Sequence, residues 1–217
     1  MKLYLSSFDI GDYPEKLIEL TSPGKKAVVI LNALDHKAPA RKEWLNSQTQ
    51  TLGNLGFEVE ELDLRKYFGK QDELEKLLQN KNLVWINGGN TFILRRAMKQ
   101  SGFDTVITDL VKRDKIVYAG FSAGCVVLHK DLHGLDITDD PNIVPEEYDT
   151  AIPWEGLGLI NFSIAVHYQS NHSETELTDK EIEYYKTNNI PYKTLRDGEV
   201  IVSIGDTVEV LELKNVK

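Results

Sequence analysis

The apolar positions of this chain form two kinds of pattern. Short continuous runs rich in β-branched residues are typical of buried strands, whereas apolar residues recurring every three to four positions indicate helices. The first pattern predicts strands over residues 2–8, 25–33, 82–86, 115–119, 160–166, 199–204 and 207–213, and an alternation of apolar and polar residues predicts a strand with one wetter face over residues 57–64. The second predicts helices over residues 40–55, 71–79, 91–100, 103–112, 125–130 and 178–186.

Strands that alternate with helices predict an α/β domain with a mainly parallel, doubly wound sheet and helices on both of its faces. The last two predicted strands flank Gly205-Asp206, which is the spacing of a C-terminal β-hairpin. No internal repeat or linker interrupts the pattern, so we expect residues 1–217 to form a single domain.

The segment Gly120-Phe121-Ser122-Ala123-Gly124 follows one of the apolar runs and precedes a predicted helix. This strand–turn–helix context is the one in which G-x-S-x-G forms a nucleophile elbow, with the serine hydroxyl held away from the backbone at the tip of a sharp turn. The glycines let neighbouring chain pass close to that turn. The alternative is an ordinary glycine-rich connection between a strand and a helix.

A second glycine turn, Asn87-Gly88-Gly89-Asn90, follows the strand that ends at Ile86. In open α/β sheets ligands lie beyond the carboxyl ends of the strands, so we expect both turns at one edge of the sheet. The N–H of Ala123 and a glycine N–H of the second turn are then candidates for an oxyanion hole. The alternative is a strand-to-helix turn that Asn90 caps.

A serine nucleophile needs a base and a group that orients the base. Of the five histidines, His167 has the most favourable position, directly after a predicted strand. The other four follow other elements or lie in polar segments: His36, His129, His133 and His172. Several carboxylates in the polar loop 132–153 could orient the base, and spacing alone leaves the choice open: Asp136, Asp139, Asp140, Glu146, Glu147 and Asp149.

Composition narrows the possible functions. The chain has 217 residues, 34 Asp and Glu against 25 Lys and Arg, and a net charge of −9, which disfavours nucleic-acid and anionic-membrane partners. Its single cysteine, Cys125, excludes an internal disulfide.

Zinc-ligand spacing, a phosphate-binding loop and G-x-G-x-x-G are all absent from the sequence, so we expect no metal and no organic cofactor. The first residues lack the apolar run of a signal peptide, which predicts a cytoplasmic location.

Three segments in this order resemble the motifs of the peptidase E (aspartyl dipeptidase) family, whose relatives include the cyanophycinases: residues 87–92, 119–124 and 165–168. The similarity spans nearly the whole chain. It implies a class I glutamine-amidotransferase-like (flavodoxin-like) fold, with Ser122 as nucleophile and His167 as base. It also implies that the N–H groups of Gly89 and Ala123 form the oxyanion hole.

The family places the third triad member in an Asn-Asp-x-Pro-like segment of the loop after the nucleophile. Residues 138–144 match it best, which favours Asp140 as the orienting carboxylate and leaves Asp139 as the alternative. Asp-specific members carry an arginine where this chain has Glu176, and a glutamate there would repel an aspartyl side chain. We expect Gly88, Asn90 and Glu176 to contact substrate.

These expectations combine into a serine peptidase for dipeptides or short peptides without strict Asp-X specificity. Its partner would be a small peptide substrate, and the protein would be a monomer or a homodimer. Two alternatives remain at the level of sequence: an esterase or amidase acting on other small acyl substrates, and a catalytically silent binding or regulatory protein with the same fold.

Overall fold

The computed structural model describes residues 1–214, which fold around a seven-stranded sheet. The strands are β1 (Lys2–Ser6), β2 (Lys26–Ile30), β3 (Glu58–Glu61), β4 (Leu83–Ile86), β5 (Val117–Phe121), β6 (Ser163–Ala165), β7 (Tyr192–Thr194), β8 (Val200–Ile204) and β9 (Thr207–Leu211). The α-helices are α1 (Pro14–Thr21), α2 (Ala38–Asn54), α3 (Gln71–Leu78), α4 (Thr91–Ser101), α5 (Phe103–Lys112), α6 (Ala123–Val126) and α7 (Thr175–Thr187). Short 3₁₀ helices lie at Asn32–Leu34, Leu64–Tyr67 and Leu135–Ile137.

The strand order of the sheet is β3-β2-β4-β5-β1-β8-β9. The first five strands in that order run parallel, while β8 and β9 pair antiparallel at one edge. Helices cover both faces: α3, α4 and α5 pack on one apolar cluster, and α1 and α2 pack on another. The predicted α/β architecture with a mainly parallel sheet is therefore confirmed.

The centre of the sheet explains why two glycine turns lie together. Strands β4 and β5 are parallel neighbours, with Ile86 opposite Gly120 in the register. Successive residues of β4 alternate between the two apolar clusters, so this strand is buried on both faces. Both strands end at the same edge, where the chain turns at Gly88 and at Ser122.

The region after α6 differs from the prediction. The expected strand over residues 160–166 is reduced to the three residues of β6, and it pairs with β7 in a separate two-stranded sheet. Because β7 is short and rich in polar residues, its sequence carries no strand pattern. Helix α7 begins three residues before its predicted start, and Thr178 donates its hydroxyl to the carbonyl of Val166.

Two helices also differ from the prediction. Helix α1 has an apolar face formed by Leu17 and Leu20, in a segment for which no element is predicted. Helix α6 ends at Val126, well before the predicted end at residue 130. Across residues 1–214, no helix has both the length and the apolar character needed to cross a membrane.

Candidate active site

Ser122 lies at the tip of the turn between β5 and α6, with φ +48° and ψ −118°. A non-glycine residue with positive φ is strained and needs its surroundings to hold it. The glycines on either side are required by the carbonyl oxygen of Ile86: a Cβ at Gly120 or at Gly124 would lie 2.5 Å from that oxygen. The G-x-S-x-G spacing thus lets β4 approach the serine turn closely.

The second glycine turn packs directly against the first. A Cβ at Gly88 would lie 3.0 Å from Cβ of Ser122, and Gly89 has φ +133°, a conformation that L side chains rarely adopt. Within residues 1–214, neither the N–H of Gly89 nor the N–H of Ala123 donates to a protein acceptor. The two glycine-turn and serine-turn donors are therefore free of protein acceptors, and free backbone N–H groups are what an oxyanion hole requires.

His167 follows β6 and is held rigidly. It is buried and has φ +59°, and its backbone N–H donates to Oγ of Ser7 over 2.8 Å. Its Nδ1 lies 2.7 Å from Oδ1 of Asp197. An ionised carboxylate can only accept, so the hydrogen bond places the proton on Nδ1 and leaves the lone pair of Nε2 free to take a proton.

Asp197 is fixed from several directions. Oγ of Ser7 donates to Oδ1 of Asp197 over 2.8 Å, and the Asp197 N–H donates to Oγ of Ser170, also over 2.8 Å. Burial raises the pKa of Asp197, but the hydrogen bonds from His167 and Ser7 outweigh it and hold this pKa below its ordinary value. Asp197 is consequently ionised at neutral pH and accepts the hydrogen bond from Nδ1 of His167.

The prediction that Asp140 orients the histidine is wrong, and so is the alternative, Asp139. Asp139 is partly buried and accepts the N–H of Thr91, at the first residue of α4, over 2.8 Å. Burial raises its pKa to about 6 although the hydrogen bond from Thr91 opposes the shift. The Asp140 carboxylate accepts the N–H of Asn142 in its own loop. The carboxylate that is hydrogen-bonded to Nδ1 of His167 is that of Asp197.

A cavity of about 170 Å³ joins these groups. It is lined by Phe8, Leu34, Trp44, Asn87, Gly88, Gly89, Phe121, Ser122, His167, His172 and Glu174. The predicted nucleophile, base and glycine turn therefore open into one space. A larger, shallow depression of about 860 Å³ lies beside β7 and β9, but none of these residues lines it.

Two residues expected to contact substrate lie elsewhere. Asn90 is buried and caps α4, since its Oδ1 accepts the N–H groups of Phe92 and Ile93 over 3.0 Å each. Glu176 is exposed on the first turn of α7 and is not among the residues that line the cavity. The carboxylate that does line it is Glu174, whose Oε2 is 3.8 Å from Nε2 of His167.

His172, Glu174 and His167 are close enough together to be tested as metal ligands. Their donor atoms lie within 4.8 Å of one another, but the two imidazoles are stacked, 3.7 Å apart and inclined by 8°. The in-plane lone pairs of parallel rings do not converge on a point between them. Nδ1 of His172 also accepts the Glu174 N–H over 3.2 Å. The arrangement suits acid–base chemistry at His167 better than metal coordination.

Asp197 could have been found from the sequence only by recognising β7. Strands β6 and β7 run parallel, with Ala165 opposite Thr194, so residues just after each strand meet at one edge. His167 and Asp197 are such residues. The segment 192–194 is Tyr-Lys-Thr, which gives too little pattern to identify a strand.

Several known proteins are similar to this chain in sequence. The family model of peptidase family S51 matches residues 15–211. "Uncharacterized peptidase Lmo0363" of Listeria monocytogenes is 28% identical over 142 residues, which cover 65% of this chain and 65% of that protein. "Probable alpha-aspartyl dipeptidase" of Drosophila melanogaster is 27% identical over 167 residues, covering 75% of this chain and 64% of that protein.

Solved structures show the same fold. A crystal structure of a candidate peptidase E protein from Listeria monocytogenes superposes with a TM-score of 0.81 at 25% identity, covering 98% of both chains. A peptidase from an acI-B1 actinobacterium, at 17% identity, has a TM-score of 0.68 over 97% of this chain and 87% of that one. With the family model matching nearly the full length, this chain belongs to peptidase family S51.

Proposed function

We propose that this protein is a serine peptidase that hydrolyses dipeptides or short peptides through an acyl-enzyme formed on Ser122. The observation that carries the proposal is the hydrogen-bonded pair of His167 and Asp197, 2.7 Å apart, in the same cavity as the strained turn of Ser122. A nucleophile, a base with a free nitrogen and an orienting carboxylate are the parts that acyl transfer needs.

In the first half of the reaction, Nε2 of His167 takes the hydroxyl proton of Ser122 as Oγ attacks the peptide carbonyl carbon. The carbonyl oxygen becomes an oxyanion, which the N–H groups of Gly89 and Ala123 stabilise. Asp197 stabilises the imidazolium that forms and keeps its own charge. When the C–N bond breaks, His167 gives its proton to the leaving amine.

In the second half, water replaces the amine. His167 accepts a proton from a water molecule while the water oxygen attacks the acyl carbon. The oxyanion that forms is again stabilised by the N–H groups of Gly89 and Ala123. Collapse of this intermediate breaks the ester bond, and His167 returns the proton to Oγ of Ser122. The released acid is the amino-terminal part of the substrate.

The lining of the cavity supports a specificity that is not strictly Asp-X. Glu174 is the only acidic residue of the lining, and neither lysine nor arginine is among the lining residues that the structure describes. An aspartyl side chain would therefore meet a negative charge without a cation to pair with it. The name of the Drosophila relative concerns that protein, and in this chain Glu174, not the exposed Glu176, is the carboxylate that an aspartyl side chain would meet in the cavity.

For the fold we propose the class I glutamine-amidotransferase-like (flavodoxin-like) type, supported by the parallel order β3-β2-β4-β5-β1 with the nucleophile turn after the fourth of these strands. The second candidate function is an esterase or amidase acting on other small acyl substrates. The same two donors and the same base serve any acyl group, so substrate choice is what separates the two functions.

Labelling by a fluorophosphonate probe, together with assays on a dipeptide panel and a small ester, tests the proposal. We expect the wild type to be labelled and to cleave dipeptides, and the Ser122→Ala variant to lose both properties. Cleavage of the ester alone would favour the second candidate. A wild type that is neither labelled nor active on any substrate would overturn the catalytic assignment.

A further inference from the structure

Three aromatic rings form one wall of the cavity beside Ser122. The centroids of Phe8 and Trp44 are 5.9 Å apart and their planes are inclined by 85°, and Phe8 and Phe121 lie 5.9 Å apart at 73°. Trp44 and Phe121 complete the triangle with a centroid distance of 5.4 Å. The two edge-to-face pairs and the tilted pair hold each ring in place, so the wall is a packed feature of the fold.

Phe8 belongs to this wall although it is 37% exposed. It is the only aromatic residue among the large exposed apolar side chains of residues 1–214. Single exposed aliphatic residues are common on protein surfaces and need no explanation. An exposed aromatic ring at a cavity is different, because a ligand that binds there removes its apolar surface from water. Leu34 adds to the apolar part of the lining.

In contrast to the apolar wall, Glu174 brings a negatively charged side chain to the lining of the cavity. Its carboxylate accepts no hydrogen bond from any residue in the range 1–214; the nearest groups are Nε2 of His167 at 3.8 Å and Nδ1 of His172 at 3.9 Å. Its oxygens are therefore available to a donor on the substrate. An ammonium group is the complementary partner, since charge-assisted hydrogen bonds to a carboxylate are the strong ones.

The size of the cavity limits what it holds. Pockets for drug-sized ligands enclose about 300–1,000 Å³. At about 170 Å³, this cavity takes one amino-acid residue rather than a long segment of peptide. An α-amino group lies one carbon away from the carbonyl that the nucleophile attacks, so Glu174, beside His167, is near the place where this amine must lie.

Resting on the proposed function, we propose that the preferred substrates are dipeptides with a free α-amino group and an apolar, best aromatic, first residue. The side chain of that residue packs on Phe8, Trp44 and Phe121, and its ammonium group binds Glu174. The cleaved bond joins the carbonyl of this residue to the nitrogen of the next one, and Ser122 carries the acyl group between the two halves of the reaction.

Binding to the inert Ser122→Ala variant tests the site without turnover. Isothermal titration calorimetry would compare Phe-Ala, Leu-Ala, Asp-Ala and N-acetyl-Phe-Ala, with circular dichroism verifying that the variant is folded. We expect Phe-Ala to bind about tenfold or more tightly than Asp-Ala, and N-acetylation to weaken binding about tenfold to hundredfold. Binding of Asp-Ala that equals or exceeds that of Phe-Ala would overturn the assignment, as would indifference to the acetyl group.

Substitutions in the otherwise wild-type enzyme locate the two parts of the site. Phe8→Ala should lower kcat/KM for Phe-Ala about tenfold, and Phe8→Leu should restore part of the loss. Glu174→Gln should reduce kcat/KM for Phe-Ala about tenfold or more. It should also remove the preference for a free amine, so that kcat/KM for Phe-Ala and for N-acetyl-Phe-Ala become nearly equal. Glu176→Gln, two residues further along the chain and exposed, is the matched control. A larger effect at Glu176 than at Glu174 would contradict the inference.

The two measurements separate this inference from the function on which it rests. If the Ser122→Ala variant binds Phe-Ala as expected but the wild type cleaves no peptide, the peptidase assignment fails and the ligand assignment stands. If the wild type cleaves peptides and prefers Asp-Ala, the peptidase assignment stands and this inference fails.

Discussion

Nδ1 of His167 and Oδ1 of Asp197 lie 2.7 Å apart although thirty residues separate them in the chain. The two residues meet because β6 and β7 are parallel neighbours that end at the same edge. The chain order of the proposed catalytic groups is therefore serine, histidine, aspartate. The loop between Ser122 and His167, rich in carboxylates, supplies none to the base.

Replacing Asp197 by asparagine should remove most of the activity. An amide can donate to Nδ1 and so favours the tautomer whose Nε2 carries the proton, which makes His167 a poor base; losses of this kind are about 10²–10⁴-fold in kcat. Dipeptide hydrolysis by Asp197→Asn and by the control Asp140→Asn would be compared. Activity that survives in Asp197→Asn but disappears in Asp140→Asn would return the role to the loop after the nucleophile.

We expect Ser7 to affect catalysis indirectly, by holding His167 and Asp197 in position. Its buried hydroxyl accepts the His167 N–H and donates to Asp197, both over 2.8 Å, and it connects the end of β1 with the catalytic pair. Ser7→Ala leaves a buried N–H without a partner, a cost of about 1–3 kcal/mol in the free energy of unfolding. We expect kcat to fall about tenfold while KM changes little. Steady-state kinetics with thermal denaturation would measure both, and an unchanged kcat would contradict this role.

The parts of the site that the sequence predicts are those set by local chain geometry. The turns of Ser122 and Gly89 each follow a run of apolar residues in a central strand, and parallel strands with short connections leave little choice about where their ends meet. For this reason Ser122, Gly88 and Gly89 are found around one cavity as expected. The mainly parallel sheet follows from the same alternation of strands and helices.

The parts that the sequence does not predict depend on contacts between distant segments. Asp197 is brought to His167 by the two-stranded sheet of β6 and β7, whose pairing has no local signal. Phe8 follows β1 and Trp44 belongs to α2, so the two rings come together at the cavity only in the folded protein. Glu174 and Glu176 have similar neighbours in sequence, and only the position of the first turn of α7 decides which one faces the cavity.

Gly89 should tolerate no side chain. A Cβ there would lie 2.7 Å from the carbonyl oxygen of Ala33, and φ is +133°. Gly89→Ala should move the N–H that we propose as an oxyanion donor, and removing one such donor typically costs about 10²–10³ in kcat. Hydrolysis rates and circular dichroism would be measured for this variant.

The matched control is Gly53→Ala in helix α2, where a Cβ would meet nothing within 4 Å. Alanine is the better helix former, so this variant should be slightly more stable than the wild type, by about 0.5–1 kcal/mol, with unchanged activity. Full activity in Gly89→Ala would mean that the oxyanion lies elsewhere. An equal loss in both glycine variants would point to a general effect of substitution.

Glu181 makes the folded protein less stable as pH rises, which is opposite to the effect of most carboxylates. It is buried on α7 beside Thr138, whose hydroxyl donates to it, and burial raises its pKa from 4.5 to about 8, with the nearby charges of Asp139 and Glu174 acting in the same sense. Between these two values the folded protein holds a proton that the unfolded chain releases. Stability attributable to Glu181 is therefore present at low pH and lost as pH rises from about 4.5 to about 8.

Glu181→Gln keeps the size and the hydrogen-bonding groups of a protonated glutamic acid but cannot ionise. Since one pKa unit corresponds to about 1.4 kcal/mol, the variant should be more stable than the wild type at pH 9 by a few kcal/mol, while the two should nearly coincide at pH 4. Thermal denaturation across this range would follow the difference, with the exposed Glu183→Gln of the same helix as control. A difference between Glu181→Gln and the wild type that stays constant with pH would show that folding does not raise the pKa of Glu181.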